Sequence, residues 1–133
     1  MIAGVADTHT ALWYLYDDAR LSVAAGDFID QAAAAGRQIV VSSISLAEIV
    51  YLTEKSRLPA NVYADLKAAI ADQGHVFKEA PFTAEIVDAM RAVPRADVPD
   101  MPDRIVAATG LYFGVPVISR DARIRSSNVH TVW

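Results

Sequence analysis

The sequence predicts an α/β fold on a mainly parallel sheet, and three features carry that prediction. Short β-branched runs alternate with longer stretches of helical periodicity, the pattern of strand–helix–strand units. Gly36, Gly74 and Gly114 fall where the helical patterns stop. At 133 residues and 53% hydrophobic, the chain can fill one core and is too short for two, so residues 1–133 read as one domain.

Taken in order, Ile2 to Ala6 reads as a short buried strand. Thr8 to Tyr16 starts a helix with Thr8 as its N-cap. Ser22 to Ala35 is an Ala-rich amphipathic helix stopped by Gly36. Ile39-Val40-Val41 is the second strand. A helix from about Ser45 carries Leu46, Ile49, Val50 and Leu52 towards the core. Pro59 to Gln73 is another helix, and Val76-Phe77 a short third strand. Thr83 to Val93 is helical, with Ile86, Val87 and Met90 on one face. Pro94 to Pro102, with three of the six prolines, is a loop. Asp103 to Phe113 is a helix closed by Gly114. Val115 to Ile118 is a strand, with Pro116 at its beginning or on an edge, and Val129 to Trp133 is the last strand.

In open parallel sheets the ligand site lies beyond the carboxyl ends of the strands. Four acids meet that description. Asp7 follows the first strand, and Glu48 sits early in the helix after the second. Asp103 opens the helix before the Val115–Ile118 strand, and Asp121 follows that strand through Ser119-Arg120. Asp100, three residues before Asp103, shares its helical turn if that helix begins early. Each acid also has a local reading. Ser45-Leu46-Ala47-Glu48 matches a capping box, so Glu48 reads equally as cap or ligand. Asp103 fits a helix start and Asp121 an Asx turn. Convergence on one sheet edge favours a joint role. Carboxylates crowded in one cleft must take up protons or bind cations. Hard oxygen donors suit Mg²⁺ or Mn²⁺. A pair of such ions suits phosphodiester hydrolysis, one activating water and the other stabilising the leaving oxygen.

Composition narrows the classes further. With no cysteine there is neither a disulfide framework nor a thiolate metal site. No apolar run approaches the roughly 20 residues of a membrane span, and the N-terminus lacks the features of a signal peptide, so the expected location is cytoplasmic. A net charge of −4 argues mildly against a nucleic-acid partner unless bound cations change the local balance.

Val5-Ala6-Asp7-Thr8-His9-Thr10-Ala11-Leu12-Trp13 resembles the opening strand and D-T-H/N segment of PIN-domain proteins, particularly VapC-type toxins. Ser42 to Ile49 resembles their S-x-x-S/T-x-x-E-I segment. Asp100 to Thr109 resembles their D-P-x-D-R helix start, with Pro102 one position later than usual. Val117 to Asp121 resembles their strand ending in T/S-x-D. No one of these motifs is specific; the four together, in order, are. The resemblance implies a three-layer α/β/α PIN-like fold. It implies one or two divalent ions held by Asp7, Glu48, Asp103 and Asp121, with Asp100 as an auxiliary acid and Thr8 and Ser119 as supporting hydroxyls. It also implies RNA hydrolysis to 3′-hydroxyl and 5′-phosphate ends, growth inhibition, a VapB-like antitoxin partner, and a homodimer or toxin–antitoxin hetero-oligomer.

Arg104 and Arg120 flank the acids and read either as phosphate contacts or as exposed charges that orient them. Lys55, Arg57, Arg95, Arg123 and Arg125 extend this into an RNA-facing rim or are dispersed solubilising charge. His9 lies two positions from Asp7, off its helical face, and reads as structural or supporting. His75 and His130 show no zinc-ligand spacing. Leu12 to Tyr16, with Ile49, Tyr51 and Leu52, suggest a hydrophobic groove for an antitoxin segment or a second copy. Two rivals stand beside the nuclease. A haloacid-dehalogenase-like phosphohydrolase needs D-x-D, and His9 occupies the second position. A non-catalytic PIN-like interaction module would not need all four acids.

Overall fold

The structure is a computed structural model and describes all of residues 1–133. Five strands, β1 (Ile2–Ala6), β2 (Gln38–Ser42), β3 (Phe77–Ala80), β4 (Val117–Ile118) and β5 (Thr131–Val132), form one sheet in the order β3-β2-β1-β4-β5. Every pairing is parallel. Seven helices connect them: α1 (Thr8–Leu15), α2 (Val23–Ala34), α3 (Ser43–Glu54), α4 (Val62–Ala71), α5 (Ala84–Met90), α6 (Met101–Phe113) and α7 (Ala122–Arg125).

The strand order dictates the layers. The chain steps in one direction from β1 to β2 to β3, then jumps back across β1 to β4 and β5. Parallel crossovers are right-handed, so reversing the step sends the helices to the opposite face. Two apolar clusters show this. On one face Ile39, Val41, Phe77 and Ile118 pack with Ala11, Leu12, Ile29, Ile49 and Leu66 of α1–α4. On the other, Val5, Val40, Ala80 and Val117 meet Ile86, Val106, Ala107 and Ile124 of α5–α7. The result is a three-layer α/β/α sandwich, as expected. Its strands are buried on both faces, which is why they read as continuous apolar runs. Each fully buried Ile or Val contributes roughly 2 kcal/mol.

Two glycines shape α6. Gly114 ends it in the left-handed region at φ +66°, where a side chain is strained. Gly110 lets the helix press on β4: a Cβ there would lie 2.6 Å from Val117 Cγ2 and 3.2 Å from the Val115 carbonyl oxygen.

Several element boundaries differ from the sequence reading. The cap of α1 is Asp7, not Thr8, because the Asp7 side chain accepts the Thr10 N–H. The α3 helix starts at Ser43 with Ser42 as cap, so Ser45 and Glu48 are interior and form no capping box. Val50 and Val87 are exposed rather than core. The α4 helix is shorter than Pro59–Gln73 at both ends, while β3 runs on to Ala80. Met101 and Pro102 belong to α6, whose cap is Asp100. Proline is tolerated there because the first-turn N–H groups have no helical partner.

Candidate functional site

The reversal of strand order makes a crevice beyond the carboxyl ends of β1 and β4. Here the chain places a cleft of about 470 Å³ lined by Asp7, Thr8, His9, Trp13, Arg20, Glu48, Asp100, Asp103, Arg120 and Asp121. All four acids singled out in the sequence, and the auxiliary Asp100, therefore share one cavity.

Asp7 is the best-anchored of them. It is 9% exposed, its Oδ1 accepts the Thr10 N–H at 2.9 Å, and its Oδ2 accepts the Ser119 hydroxyl. Ser119 is fully buried, and its Oγ in turn accepts the Asp121 N–H at 3.0 Å. Thr10 Oγ1 donates to the Ile118 carbonyl at 2.8 Å, tying α1 to β4 directly. One hydroxyl thus sets Asp7 and the turn to Asp121 in register, which a bare strand end would not do.

Glu48 is held from the other side. Thr8 Oγ1 lies 2.5 Å from Glu48 Oε1 and 2.8 Å from Ser45 Oγ. A hydroxyl has one proton, which goes to the carboxylate, so Ser45 donates in the second bond. Ser45 and Thr8 are both buried and dedicated to this contact. Asp100 accepts the Asp103 N–H at 3.2 Å as the cap of α6. Asp121 Oδ1 caps α7 through the Arg123 and Ile124 N–H groups at 2.9 and 3.1 Å. The Asx-turn reading of Asp121 holds, and Asp100 caps α6; neither bond removes its acid from the cleft, since each carboxylate keeps an oxygen free.

Asp103 is the acid under most electrostatic pressure. Half-buried, it is pushed up from the ordinary 3.8 to about 7, by burial first and then by repulsion from Asp121, Asp100, Glu48 and Asp7. Each of those neighbours acts against its charge, and the five carboxylates of the cleft outnumber its two guanidiniums, Arg20 and Arg120. The donors, carboxylate and hydroxyl oxygens without sulfur, fit a hard divalent ion. No three of the acids are drawn into a ready-made ligand set, so their outer side chains would have to close on the ion.

The basic residues sort differently from the expectation. Arg104 turns away from the cleft: its Nε donates to the Val93 carbonyl at 2.8 Å and its Nη2 to the Met90 carbonyl at 3.0 Å. It ties the start of α6 to the end of α5, which corrects the phosphate reading and leaves an orienting one. Of the suggested rim, only Arg120 lines the acidic cleft. Arg20 lines it too, and nothing in the sequence announced it: it lies in the α1–α2 connection, and only the fold brings it back. The sequence places Trp13 in the core or the groove. It is 6% exposed yet forms the apolar wall of the cleft, with the Arg120 and Arg20 guanidinium carbons 4.6 and 5.2 Å from its ring centroid. His9 is exposed, lines the same cleft, and packs on Trp13 at 5.6 Å.

A second groove of about 530 Å³ adjoins the cleft, sharing His9, Trp13 and Arg20. Leu12 and Tyr16 line it as expected, but Leu58, Pro59 and Val62 replace the anticipated Ile49, Tyr51 and Leu52. Ile49 is fully buried, and Tyr51 is exposed under the Lys55 ammonium at 4.5 Å.

Comparison with known proteins agrees with this architecture. The model of the PIN domain family matches residues 5–128. The chain is 26% identical over 130 residues to Ribonuclease VapC22 of Mycobacterium tuberculosis, covering 96% of this chain and 95% of that protein. Among solved structures it resembles a chain of VapBC2 from Rickettsia felis, crystallised bound to a DNA fragment from their promoter. The TM-score is 0.71 at 14% identity, over 98% of this chain and 97% of the other, a likeness of fold. No helix is long and apolar enough to cross a membrane.

Proposed function

This chain belongs to the PIN-domain family, and on that premise we propose that it is a divalent-metal-dependent endoribonuclease, the toxin of a toxin–antitoxin pair. The observation that carries the reading is the convergence of Asp7, Glu48, Asp100, Asp103 and Asp121 on one cleft with too few cations to balance them. The likeness to Ribonuclease VapC22 supports RNA as substrate. The likeness to a VapBC complex supports a VapB-like antitoxin as partner, in a homodimer or hetero-oligomer.

In this reading Asp7, Glu48, Asp103 and Asp121 hold Mg²⁺ or Mn²⁺, and Asp100 assists from the start of α6. The bound ion supplies Lewis-acid polarisation of the phosphate and activation of water. The protein's own part is positioning. The Ser119 hydroxyl and the Thr10 N–H fix Asp7, while Thr8 backed by Ser45 fixes Glu48. A cation would compete with the proton that burial and the neighbouring acids favour on Asp103, so ion affinity would rise with pH. The buried Trp13 forms the apolar wall of the cleft. The adjoining groove gives an antitoxin segment an apolar seat beside the site. Residues 1–133 act as one PIN domain in the cytoplasm.

The test is cleavage of total cellular RNA by purified, antitoxin-free protein with Mg²⁺, with Mn²⁺ and with EDTA, beside Asp7→Asn. Discrete metal-dependent products absent from the variant are expected. Cleavage that survives both EDTA and Asp7→Asn would sink the proposal.

A further inference from the structure

A phosphodiester strand entering this cleft meets five carboxylates and two guanidiniums, those of Arg20 and Arg120. The two arginines are not equivalent. Arg20 is already spoken for: its Nε and Nη2 donate to Asp18 at 3.0 and 2.7 Å, and that pairing holds Asp18 down at about 2. The Arg120 guanidinium has no ion pair and no side-chain hydrogen bond; it lies on the ring of Trp13, 4.6 Å from the centroid. Trp13 cannot swing away. It is 6% exposed and packs against Trp133 at 5.9 Å and His9 at 5.6 Å.

A free arginine gives up much of its rotamer freedom when it is fixed. Stacking on a buried indole removes much of that freedom beforehand and leaves the planar edge of N–H donors unoccupied. The backbone places this group well, because Arg120 stands between Ser119, which anchors Asp7, and Asp121. Arg120 is therefore next in the chain to Asp121, a proposed metal ligand, and to Ser119, which holds another, and it lines the cleft those acids share.

We propose that Arg120, laid on Trp13, is the residue that positions the RNA strand, gripping a phosphate adjacent to the scissile one. This role rests on the ribonuclease reading above. Arg20, held by Asp18, adds positive charge to the same wall without offering its fork. Trp13 acts through Arg120 as a shelf and need not touch the RNA.

The experiment measures binding of a fluorescent mixed-sequence 12-nucleotide single-stranded RNA by anisotropy over a range of salt concentrations, in a cleavage-silent Asp7→Asn background. Arg120→Gln, Arg120→Lys and Arg125→Gln are compared with that parent. Arg125, the exposed last residue of α7, lines neither cavity and so falls to the dispersed charge of the sequence reading rather than to an RNA-facing rim; it controls for general loss of charge. Losing one phosphate contact should weaken binding by about tenfold at low salt and flatten the slope of log affinity against log salt by about 0.7. Lysine should keep the slope but only part of the affinity, since an ammonium neither stacks flat nor forks. Arg125→Gln should change neither. With Asp7 restored, Arg120→Gln should raise KM on the RNA the wild type cuts and leave kcat within about twofold. Equal losses for Arg120→Gln and Arg125→Gln, or an unchanged slope, overturn the assignment. A wild-type protein that cuts RNA beside an Arg120→Gln variant of equal KM refutes this role and spares the ribonuclease reading. A wild type that neither binds nor cuts RNA refutes both.

Discussion

Replacing Asp103 by Asn should make the metal-free protein more stable at pH 8, an unusual direction for a change at a functional site. The carboxyl is raised from 3.8 to about 7, chiefly by burial and then by its acidic neighbours, and no hydrogen bond to its side chain offsets this. Below pH 3.8 the group is protonated folded and unfolded alike, and it costs nothing. As pH rises the unfolded chain ionises first, so the folded state is penalised progressively, and the penalty is complete above about pH 7. At face value that shift is worth about 4 kcal/mol. Asp103 is only half-buried, and solvent screening leaves about 1–2 kcal/mol. Asparagine also forgoes about 0.5 kcal/mol of favourable interaction with the α6 dipole. The net gain is about 1 kcal/mol, or roughly 4 °C in Tm for a chain of this size. Urea and thermal unfolding of EDTA-treated wild type and Asp103→Asn at pH 5 and pH 8 would measure it. The gain should shrink to well under half at pH 5. Added Mg²⁺ should raise the wild-type Tm more than the variant's. An Asp103→Asn protein no more stable than wild type at pH 8, or equally stabilised at both pH values, would show that the acids do not strain one another.

Other substitutions test the scaffold around the cleft. Ser119→Ala removes the donor to Asp7 and the acceptor of the Asp121 N–H. It should cost about 1–3 kcal/mol in urea unfolding and lower RNA cleavage by 10–100-fold, with a raised Mg²⁺ requirement. Arg104→Gln breaks the tie to the Met90 and Val93 carbonyls. It should lower stability by about 1–2 kcal/mol while leaving the salt slope of RNA binding unchanged; a flatter slope would restore a phosphate role for Arg104. Gly110→Ala should destabilise by about 1–3 kcal/mol despite better helix propensity, because the new Cβ meets Val117 at 2.6 Å; a higher denaturation midpoint would show that α6 shifts freely on β4.

The parts of this molecule that were readable from sequence are those in which one residue type has one job. Strands buried on both faces announce themselves as apolar runs, and the acids stand out because each follows a strand or opens a helix. Boundaries were less legible where neighbouring residues compete for one role. Asp7 and Thr8 are both good caps, as are Ser42 and Ser45, and tertiary contacts decide between them: Thr8 and Ser45 are recruited to Glu48 instead. The exposed Val50 and Val87 fit helical periodicity but fall on the outer edge of the apolar stripe. Long-range polar contacts leave no periodic trace. Arg104 looks like a phosphate ligand until α5 is seen to end beneath it, and Arg20 joins the cleft through a loop whose path no local pattern encodes.

The strand order also governs when the cleft can come into being. The β1 strand is synthesised first and occupies the centre of the sheet, but the strand that sets Ser119 against Asp7 is the second to last. Until β4 emerges and docks, Asp7 has no partner hydroxyl, Asp121 has no place, and Trp13 lacks both Arg120 and Trp133. The acidic crevice is therefore a property of the finished polypeptide. A chain that has not yet added β4 carries most of its acids but has no assembled pocket that brings them together.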